Sequence, residues 1–394
     1  MQYRRSPKID ADLSVLGFGC MRFPRTLAAT DMTKTEALFR EAIEGGVNYF
    51  DTAYVYPGSE SATGEILAKD GLRERVYLAT KLPRQLCKSH DDLDRIFSKQ
   101  LERLKTGYID FYLIHNLPSL FYWQRLVDLG IEDWIAEKKQ SGQVRWIGFS
   151  FHGAQNDFIE LLDVYDWDFC QIQYNYLDEN YQAGRVGLKA AYAKGVPVII
   201  MEPLRGGKLA TGLPKEAAQI LEQADPQASL ASWAFKWLYD QPEPSVVLSG
   251  MNAPEQLRDN LAVAGQAAVG MLGSEQKGVL EKAIELIKAT YRVPCTGCNY
   301  CMPCPHGVSI PSCFSAYNAR TTQGLIVGMS QYVTSTAANR PGQYSGAANC
   351  QACGVCLEKC PQQIEIIEQL KEVKKHMEPF WFKLALKVLG AISK

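Results

Sequence analysis

Eight short apolar segments recur along the first 290 residues, and stretches with helical periodicity separate them. The segments lie at 14–21, 48–53, 76–82, 109–115, 144–150, 169–175, 196–202 and 245–251. Intervening stretches, such as 33–46, 90–105 and 228–240, carry apolar residues at i, i+3, i+4 and i+7 spacing, which indicates amphipathic helices. Near-continuous apolar strands separated by helices are typical of a parallel sheet covered by helices. Eight such units in sequence predict a closed (β/α)8 barrel.

An open, doubly wound sheet is the alternative architecture for this alternation. That fold usually carries a glycine-rich dinucleotide fingerprint, G-x-G-x-x-G, directly after its first strand. The segment at 17–24 reads GFGCMRFP and does not have that spacing. We therefore expect an α/β protein built on a (β/α)8 TIM barrel.

The cysteines are concentrated in one part of the chain, because nine of the twelve lie between Cys295 and Cys360. The run C-x2-C-x2-C-x3-C-P from Cys350 has the spacing with which bacterial ferredoxins hold 4Fe–4S clusters. A second run, C-x2-C-x2-C-x2-C-P from Cys295, nearly repeats it. The fourth cysteine of each ferredoxin run ligates the other cluster. This pattern predicts two ligand sets: Cys295, Cys298, Cys301 and Cys360, and Cys350, Cys353, Cys356 and Cys304.

Two details of the cysteine runs leave alternatives open. The gap before Cys304 is one residue shorter than the ferredoxin spacing, and Cys313 is a further thiol nearby. Structural zinc is the other interpretation, since it also uses C-x2-C pairs. Two sets of four cysteines, each ending in Cys-Pro, favour two 4Fe–4S clusters over tetrahedral zinc.

The composition changes near residue 291 and divides the chain. Residues 295–361 are rich in cysteine, glycine, proline and small polar residues with little periodicity, and 362–377 has the pattern of an amphipathic helix. We expect a barrel over 1–290, a small ferredoxin-like iron–sulfur domain over 291–377 and a short amphipathic tail over 378–394. The tail resembles an interfacial membrane helix, but its short length and weak basicity favour docking on the protein itself or on a partner.

Charge and composition exclude several classes of protein. The chain of 394 residues is 46% hydrophobic and 22% charged, with a formal net charge of −1, which argues against a nucleic-acid binder. No run approaches the ~20 apolar residues of a membrane span. The pair of arginines near the start of the chain is followed by polar residues, not by the apolar stretch of an export signal. We expect a cytoplasmic protein whose thiols are reduced or bound to metal.

Four polar residues fall where strands of such a barrel end. Catalytic groups of (β/α)8 barrels lie at the carboxyl ends of the strands and on the loops that follow. Asp51, Lys81 and His115 end the second, third and fourth apolar segments, and Tyr56 follows Asp51. A lysine cation lowers the pKa of a nearby tyrosine, and an aspartate keeps the lysine charged. Each residue also has a structural interpretation, but convergence of all four on one mouth favours a catalytic site.

These motifs resemble the aldo-keto reductase family over residues 1 to about 275. The segments that carry the resemblance are GVNYFDTAYVYPGSE, VYLATKLP, YIDFYLIHN, VRWIGFS, FCQIQYN, VPVIIMEPLRGG and SVVLSGMNAPEQLRDN. The resemblance implies hydride transfer from or to a nicotinamide cofactor. It assigns Tyr56 as the general acid/base, Lys81 and Asp51 as the residues that tune it, and His115 as the residue that positions the carbonyl oxygen. CTGCNYCMPCPHGVSIP resembles a subgroup of the family with a C-terminal ferredoxin-like dicluster domain.

The resemblance also assigns the cofactor contacts. It places Ser150 and Gln171 at the nicotinamide carboxamide, Leu204 and Gly206 at the diphosphate, and Asn260 at the adenine. Phe151 replaces the usual asparagine and Met201 the usual stacking aromatic residue. Gly250 and Gln256 replace the lysine and arginine that clamp a 2′-phosphate, which favours NAD(H) over NADP(H); the altered nicotinamide pocket leaves room for a flavin.

Together these features predict an oxidoreductase that reduces a carbonyl or oxidises an alcohol and transfers electrons through two 4Fe–4S clusters. Its partners are a small-molecule substrate and a redox protein, with no nucleic acid, and the tail does not favour membrane contact. Two alternatives remain: an NAD(P)H carbonyl reductase with purely structural clusters, and an iron–sulfur electron-transfer protein with an inactive barrel. Three aromatic residues at 121–123 are predicted either to line the substrate pocket or to pack in a helix face.

Overall fold

The computed structural model describes residues 1–26, 29–295, 297, 299–337, 344–360 and 363–382. Its strands, in chain order, are β1 (Tyr3–Ser6), β2 (Ile9–Ser14), β3 (Leu16–Gly19), β4 (Arg25–Thr26), β5 (Ala29–Thr30), β6 (Tyr49–Asp51), β7 (Tyr77–Leu82), β8 (Ile109–Ile114), β9 (Val144–Phe151), β10 (Phe169–Gln173), β11 (Val198–Met201) and β12 (Pro244–Ser249). The α-helices are α1 (Met32–Glu44), α2 (Ser59–Leu67), α3 (His90–Leu104), α4 (Leu120–Val127), α5 (Ile131–Gln140), α6 (Gln155–Val164), α7 (Gly184–Ala193), α8 (Lys208–Thr211), α9 (Lys215–Ala224), α10 (Leu230–Tyr239), α11 (Pro254–Gly265), α12 (Ser274–Ala289), α13 (Ile310–Gln323), α14 (Leu325–Thr336), α15 (Val355–Glu358) and α16 (Ile366–Met377).

Eight parallel strands close into a barrel, which confirms the predicted fold class. The order around the barrel is β3, β6, β7, β8, β9, β10, β11 and β12, and β12 pairs back onto β3. Each of the eight apolar segments coincides with one of these strands to within one residue at its ends or encloses it. Because all strands are parallel, their carboxyl ends meet at one mouth, and the loops that follow them surround it.

A hairpin of β1 and β2 packs against the opposite end of the barrel. Alternate residues of β2, namely Ile9, Ala11 and Leu13, are buried with Tyr49 and Phe169, which begin β6 and β10. The alternation along IDADLS is that of a strand with one buried face. The hairpin therefore closes the barrel at the amino ends of its strands.

The helices cover the barrel with their apolar faces. In α1 the buried side chains Leu38, Phe39, Ala42 and Ile43 form one stripe, and the ring centroid of Phe39 lies 5.0 Å from that of Phe18 on β3. Asp31 caps the amino terminus of this helix, because its carboxylate accepts a hydrogen bond from the Lys34 backbone N–H at 3.1 Å. Such stripes bury the outer faces of the strands.

The described residues form two compact units. The first contains Met1–Ala210 and Ala224–Lys277, and the second contains Thr211–Gln223 and the described residues from Gly278 onwards. The core of the second unit is formed by α13, α14 and α16, with Phe314, Tyr332 and Leu370 buried in it. Helices α13 and α14 lie in the region of little periodicity, where no helix is expected from the sequence. Both helices contain several serine and threonine residues, which have weak helix propensity, so packing of buried side chains such as Phe314 stabilises the helices.

Packing shows where the aromatic residues at 121–123 and those of the C-terminal tail lie. Trp123 on α4 is buried against Tyr165 and Trp167, with ring centroids 5.3 and 4.9 Å apart, so it belongs to a helix face and not to a pocket wall. In the tail, Phe382 is buried against Tyr332 at a centroid distance of 5.8 Å, whereas Phe380 is exposed. The basic end of the predicted tail, from residue 383, lies outside the described residues. No helix in the described parts of the chain is long and apolar enough to cross a membrane.

Candidate active site and cysteine-rich domain

Three neighbouring strands bring the four predicted catalytic residues to the barrel mouth. Asp51 is the last residue of β6, Lys81 lies near the end of β7, and His115 directly follows β8. Tyr56 lies in the turn between β6 and α2, where its backbone N–H donates to the Ala53 carbonyl at 3.0 Å. The structure therefore places all four residues at the same end of the barrel.

Lys81 and Asp51 form a buried ion pair. The Lys81 Nζ lies 2.5 Å from Asp51 Oδ1 and also donates to the Thr52 carbonyl at 2.8 Å. Gln171 Nε2 donates to the second carboxylate oxygen of Asp51 at 2.9 Å. Burial alone lowers the pKa of Lys81, but the Asp51 carboxylate and the Tyr56 phenol outweigh it and raise that pKa overall. Lys81 is therefore a fixed cation.

A buried polar network supports the strand that carries Lys81. Because side chains alternate along a strand, Thr80 faces the helices while Lys81 faces the mouth. The Thr80 hydroxyl donates to Glu60 Oε1 at 2.7 Å, and Gln100 Nε2 donates to the Lys81 carbonyl at 3.1 Å. Arg103 pairs with the other oxygen of Glu60 at 3.1 Å. These contacts hold the backbone on both sides of Lys81.

Tyr56 lies beside this cation, but burial determines its protonation state. The Lys81 Nζ is 5.3 Å from the centroid of the Tyr56 ring. Burial raises the pKa of Tyr56, Lys81 lowers it, and Asp51 and Glu202 raise it further, so that the pKa lies above its usual value. The expected effect of Lys81 is present, yet it does not make the phenol acidic overall. Tyr56 is therefore protonated at neutral pH.

His115 is a neutral histidine next to this phenol. Its ring centroid lies 6.1 Å from that of Tyr56, with the ring planes nearly perpendicular at 89°. Burial, followed by the positive charge of Lys81, lowers the pKa of His115 to about 3. Its Nδ1 and the neighbouring Asn116 Oδ1 are buried, and neither has a hydrogen-bond partner among the described residues. Buried polar atoms without partners are costly, so each of these two atoms requires a hydrogen-bond partner.

Ser150 and Gln171 lie on the next two strands around the mouth. The hydroxyl of Ser150 on β9 accepts the Asn116 backbone N–H at 2.8 Å, and Gln171 on β10 is held by its bond to Asp51. Both side chains are buried. The structure therefore brings these two predicted cofactor contacts next to Asp51 and Asn116.

The other predicted cofactor contacts lie on the loops after β11 and β12. Leu204 and Gly206 follow β11, and Gly206 has a φ of +69°, a conformation that favours glycine. Asn260 lies on α11, where its Nδ2 donates to Ser249 Oγ at 2.9 Å. Asn260 thus joins α11 to the end of β12, and the structure does not bring it into contact with the catalytic group.

The two cysteine runs share a backbone pattern. Gly297 and Ala352 are two residues after the first cysteine of each run, and both have positive φ, at +70° and +55°. Asn299 and Gly354, two residues further on, repeat this with φ of +63° and +83°. Left-handed residues can turn neighbouring backbone N–H groups to one side, an arrangement found at Fe–S sites. The two runs therefore share their backbone conformation at these two positions.

One thiol of the first run lies near a thiol of the second run. Partial burial raises the pKa of Cys356, and the neighbouring thiols of Cys350, Cys304 and Cys353 raise it further. Cys304 therefore lies close to Cys356 of the other run. Cys298 lies outside the described residues. Cys313 is buried, and its Sγ donates to the Tyr332 hydroxyl at 3.9 Å.

Comparison with known protein families identifies both parts of the chain. The model of the aldo/keto reductase family matches residues 15–268. The chain belongs to the aldo/keto reductase family. The model of a 4Fe–4S dicluster domain matches residues 294–365, so this aldo-keto reductase carries a dicluster domain after its barrel. Both family assignments made from the sequence are confirmed.

Three individual relatives each cover more than half of this aldo-keto reductase. It is 26% identical over 295 residues to the uncharacterized oxidoreductase YqkF of Bacillus subtilis, covering 67% of this chain and 91% of the relative. It is 27% identical over 271 residues to an NADH-specific methylglyoxal reductase of Escherichia coli, covering 56% and 80%. Among solved structures, the holo form of aldo-keto reductase AKR11C1 from Bacillus halodurans has a TM-score of 0.59 at 26% identity, covering 72% and 96%. The chain is thus an oxidoreductase.

Two further residues at the mouth of this aldo-keto reductase are not among the residues predicted from the sequence. His152 follows β9, and its Nδ1 lies 3.1 Å from Gln182 Oε1. Glu202 follows β11 with a φ of +54°, and its carboxylate is close enough to Tyr56 to raise the pKa of that phenol. Both occupy the position after a strand that identifies Asp51 and His115, so the same rule, applied to every strand, would have found them.

Proposed function

We propose that this aldo-keto reductase reduces a carbonyl of a small molecule, or oxidises the corresponding alcohol, with a nicotinamide dinucleotide at the barrel mouth. Two 4Fe–4S clusters would carry the two electrons of each turnover, one electron each, between the nicotinamide and a redox partner protein. The convergence of Asp51, Lys81, Tyr56 and His115 on one mouth carries this proposal. It supplies a protonated phenol, a fixed cation and a neutral imidazole beside each other.

The residues at the mouth fit a nicotinamide. Ser150 and Gln171 would hold its carboxamide, and the unpartnered Asn116 Oδ1 is an additional buried acceptor nearby. When bound, the nicotinamide supplies or accepts a hydride. The protein's own task is then to hold the substrate oxygen and to move one proton.

The proton moves at the Tyr56 hydroxyl. Because burial keeps this phenol protonated, it is ready to donate to the oxygen of a carbonyl as that oxygen becomes negative. Lys81 stabilises the phenolate that remains, and Asp51 keeps Lys81 in place. His115, being neutral, can donate one ring N–H to the same oxygen while its other nitrogen stays unprotonated. The resting site is therefore set for carbonyl reduction.

The loop after β12 supports a preference for NAD(H). Gly250 and Gln256 stand where related enzymes have cations for a 2′-phosphate. Gln256 Oε1 accepts the Asn252 backbone N–H at 3.0 Å, so this side chain is tied to its own loop. Neither residue can neutralise a phosphate. The related methylglyoxal reductase of Escherichia coli is NADH-specific, which agrees with this preference.

The cysteine runs are the proposed cluster ligands, with Cys295, Cys298, Cys301 and Cys360 holding one cluster and Cys350, Cys353, Cys356 and Cys304 the other. The repeated left-handed backbone positions and the closeness of Cys304 to the Cys350 run support this assignment. When bound, each cluster supplies one-electron transfer. Two clusters together exchange two electrons, the number that a hydride carries.

Substitution of Tyr56 tests the proposed function. Tyr56→Phe removes the hydroxyl but keeps the ring, so carbonyl turnover should fall by at least about 100-fold, the usual contribution of general acid catalysis. Tyr54→Phe is the matched control, because the Tyr54 ring packs under Arg103, 4.4 Å from its guanidinium carbon, away from the proposed proton transfer. Turnover of a panel of aldehydes with NADH is the measurement.

The same anaerobic preparation distinguishes the alternatives. Iron, sulfide, nicotinamide and flavin are quantified, and cluster reduction by NADH is followed at visible wavelengths during turnover. Unchanged activity of Tyr56→Phe refutes the catalytic role. Turnover without cluster reduction leaves a carbonyl reductase with structural clusters, and absence of all turnover with reducible clusters leaves an electron-transfer protein.

A further inference from the structure

An arginine on the loop after β7 lies beside the catalytic histidine and has no role in the site described above. The Nε of Arg84 donates a hydrogen bond to the backbone carbonyl of Asn116, the residue directly after His115. The positive charge of Arg84 is close enough to His115 to contribute to the lowered pKa of that imidazole. Arg84 therefore lies at the part of the mouth where His115 holds the substrate oxygen in the proposed reaction.

A tyrosine on the neighbouring helix holds the guanidinium of this arginine. The guanidinium carbon of Arg84 lies 3.7 Å from the centroid of the Tyr122 ring on α4, which is a cation–π contact. Tyr122 is itself buried. The contact with Tyr122 and the hydrogen bond to Asn116 together keep the charged group at one place on the mouth.

The charge of Arg84 has no acidic partner, unlike the charges of the two buried arginines among the described residues. Arg73 pairs with Asp110 at 2.8 Å. Arg205 pairs with Asp178 at 3.0 Å. In the part of the chain that the structure describes, no carboxylate forms an ion pair with Arg84, and burial lowers the pKa of its guanidinium.

A bound anion would supply the missing negative charge. Removal of a charge from water is costly unless an opposite charge accompanies it. A guanidinium has five N–H donors in one plane, and the Asn116 carbonyl accepts from one of them, so donors remain for both oxygens of a carboxylate. The geometry of Arg84 thus suits a carboxylate better than a neutral group.

We propose that Arg84 binds a carboxylate of the substrate, so that the enzyme acts on carbonyl compounds that are also organic acids. This inference rests on the proposed function and narrows its substrate class. The carboxylate lies against Arg84, while the reacting carbonyl lies at Tyr56 and His115. Because Arg84 does not touch the reacting oxygen, it contributes to substrate binding and not to proton transfer.

Turnover of paired acids and esters by the full-length protein measures this preference. Three aldehydes place the acid group at different distances from the carbonyl: glyoxylate, succinic semialdehyde and para-carboxybenzaldehyde, each compared with its methyl ester. At least one acid should exceed its ester in kcat/KM by about 10- to 100-fold, the range for a charge-assisted hydrogen bond. Arg84→Gln should abolish this preference, mainly by raising the KM of the acid. Arg84→Lys should retain part of it, since an ammonium keeps the charge but not the planar donor geometry.

Arg125→Gln is the matched control, because Arg125 is an exposed arginine on α4 that lies close enough to Arg84 to lower its pKa. It should change the ratio of acid to ester by no more than about twofold, as for other exposed charges. An equal fall of this ratio in Arg84→Gln and Arg125→Gln would indicate a long-range charge effect and overturn the inference. Equal losses of acid and ester turnover in Arg84→Gln would also overturn it, because Arg84 would then only hold the backbone of Asn116.

The same measurements separate this inference from the proposed function. If the unmodified protein reduces esters as well as acids, and Tyr56→Phe abolishes both reactions, the carboxylate site is refuted and the proposed function stands. If Arg84→Gln does not fold, an acid preference in Arg84→Lys equal to that of the unmodified protein contradicts recognition by the guanidinium. If none of the six compounds is reduced, both proposals fail.

Discussion

Protonation of His115 should make the stability of the barrel depend on pH in a defined direction. Burial and the Lys81 cation lower the pKa of His115 to about 3 in the folded protein, whereas the pKa of an unfolded histidine is about 6.5. Between these values the unfolded chain binds a proton that the folded protein excludes. Stability therefore falls as the pH drops below about 6.5 and continues to fall until about 3.

The magnitude follows from these two pKa values. At pH 5 the unfolded histidine is almost fully protonated, which lowers the free energy of unfolding by about 2 kcal/mol relative to pH 7. Over the whole interval from about 6.5 to about 3 the loss approaches about 5 kcal/mol, at about 1.4 kcal/mol per pH unit. A loss of 2 kcal/mol is a large part of the usual stability of a domain.

Denaturant unfolding of the anaerobic protein at pH 7 and pH 5 measures this effect. Six of the seven tryptophans lie in the first compact unit, so tryptophan fluorescence reports on the barrel. His115→Asn, which cannot gain a proton, should lose about 2 kcal/mol less than the unmodified protein between these pH values. His90→Asn is the control, since His90 is exposed on α3. An equal loss in His115→Asn and the unmodified protein would refute the link between burial and the protonation of His115.

Two further substitutions test the ion pair and the cluster ligands. Lys81→Met leaves the buried Asp51 carboxylate without its cation, so the free energy of unfolding should fall by about 3–5 kcal/mol and turnover should be lost; unchanged stability in denaturant unfolding would contradict a buried pair. Cys304→Ser should reduce the iron content of anaerobic protein by about half, because one of two 4Fe–4S sites loses a ligand. Cys313→Ala should keep the full iron content. If iron analysis shows the loss in Cys313→Ala and not in Cys304→Ser, Cys313 is the ligand.

The sequence predicts the barrel well because each strand is marked by an apolar segment with turn residues around it. Asp51, Lys81 and His115 are found by the rule that polar groups at strand ends face one mouth, and the structure brings them together as expected. The ligand spacing of ferredoxins is equally local, so the dicluster domain follows from the cysteines alone.

Other features depend on packing that no local pattern contains. The pKa of Tyr56 is a balance between burial and the Lys81 cation, and the sequence shows only the cation. Helices α13 and α14 form in a stretch without clear helical periodicity. Arg22 contacts Gly206 and Gly250 although both are more than 180 residues away in the chain. Such contacts are set by the closure of the barrel and not by neighbours in the chain.

The β1–β2 hairpin also has a kinetic implication. Since Ile9, Ala11 and Leu13 close the barrel at the amino ends of its strands, a dinucleotide and a small substrate must both enter through the mouth. The molecule that contacts Ser150 and Gln171 must bind before the molecule that lies over it. Steady-state kinetics should accordingly follow a compulsory order, with the dinucleotide first to enter and last to leave.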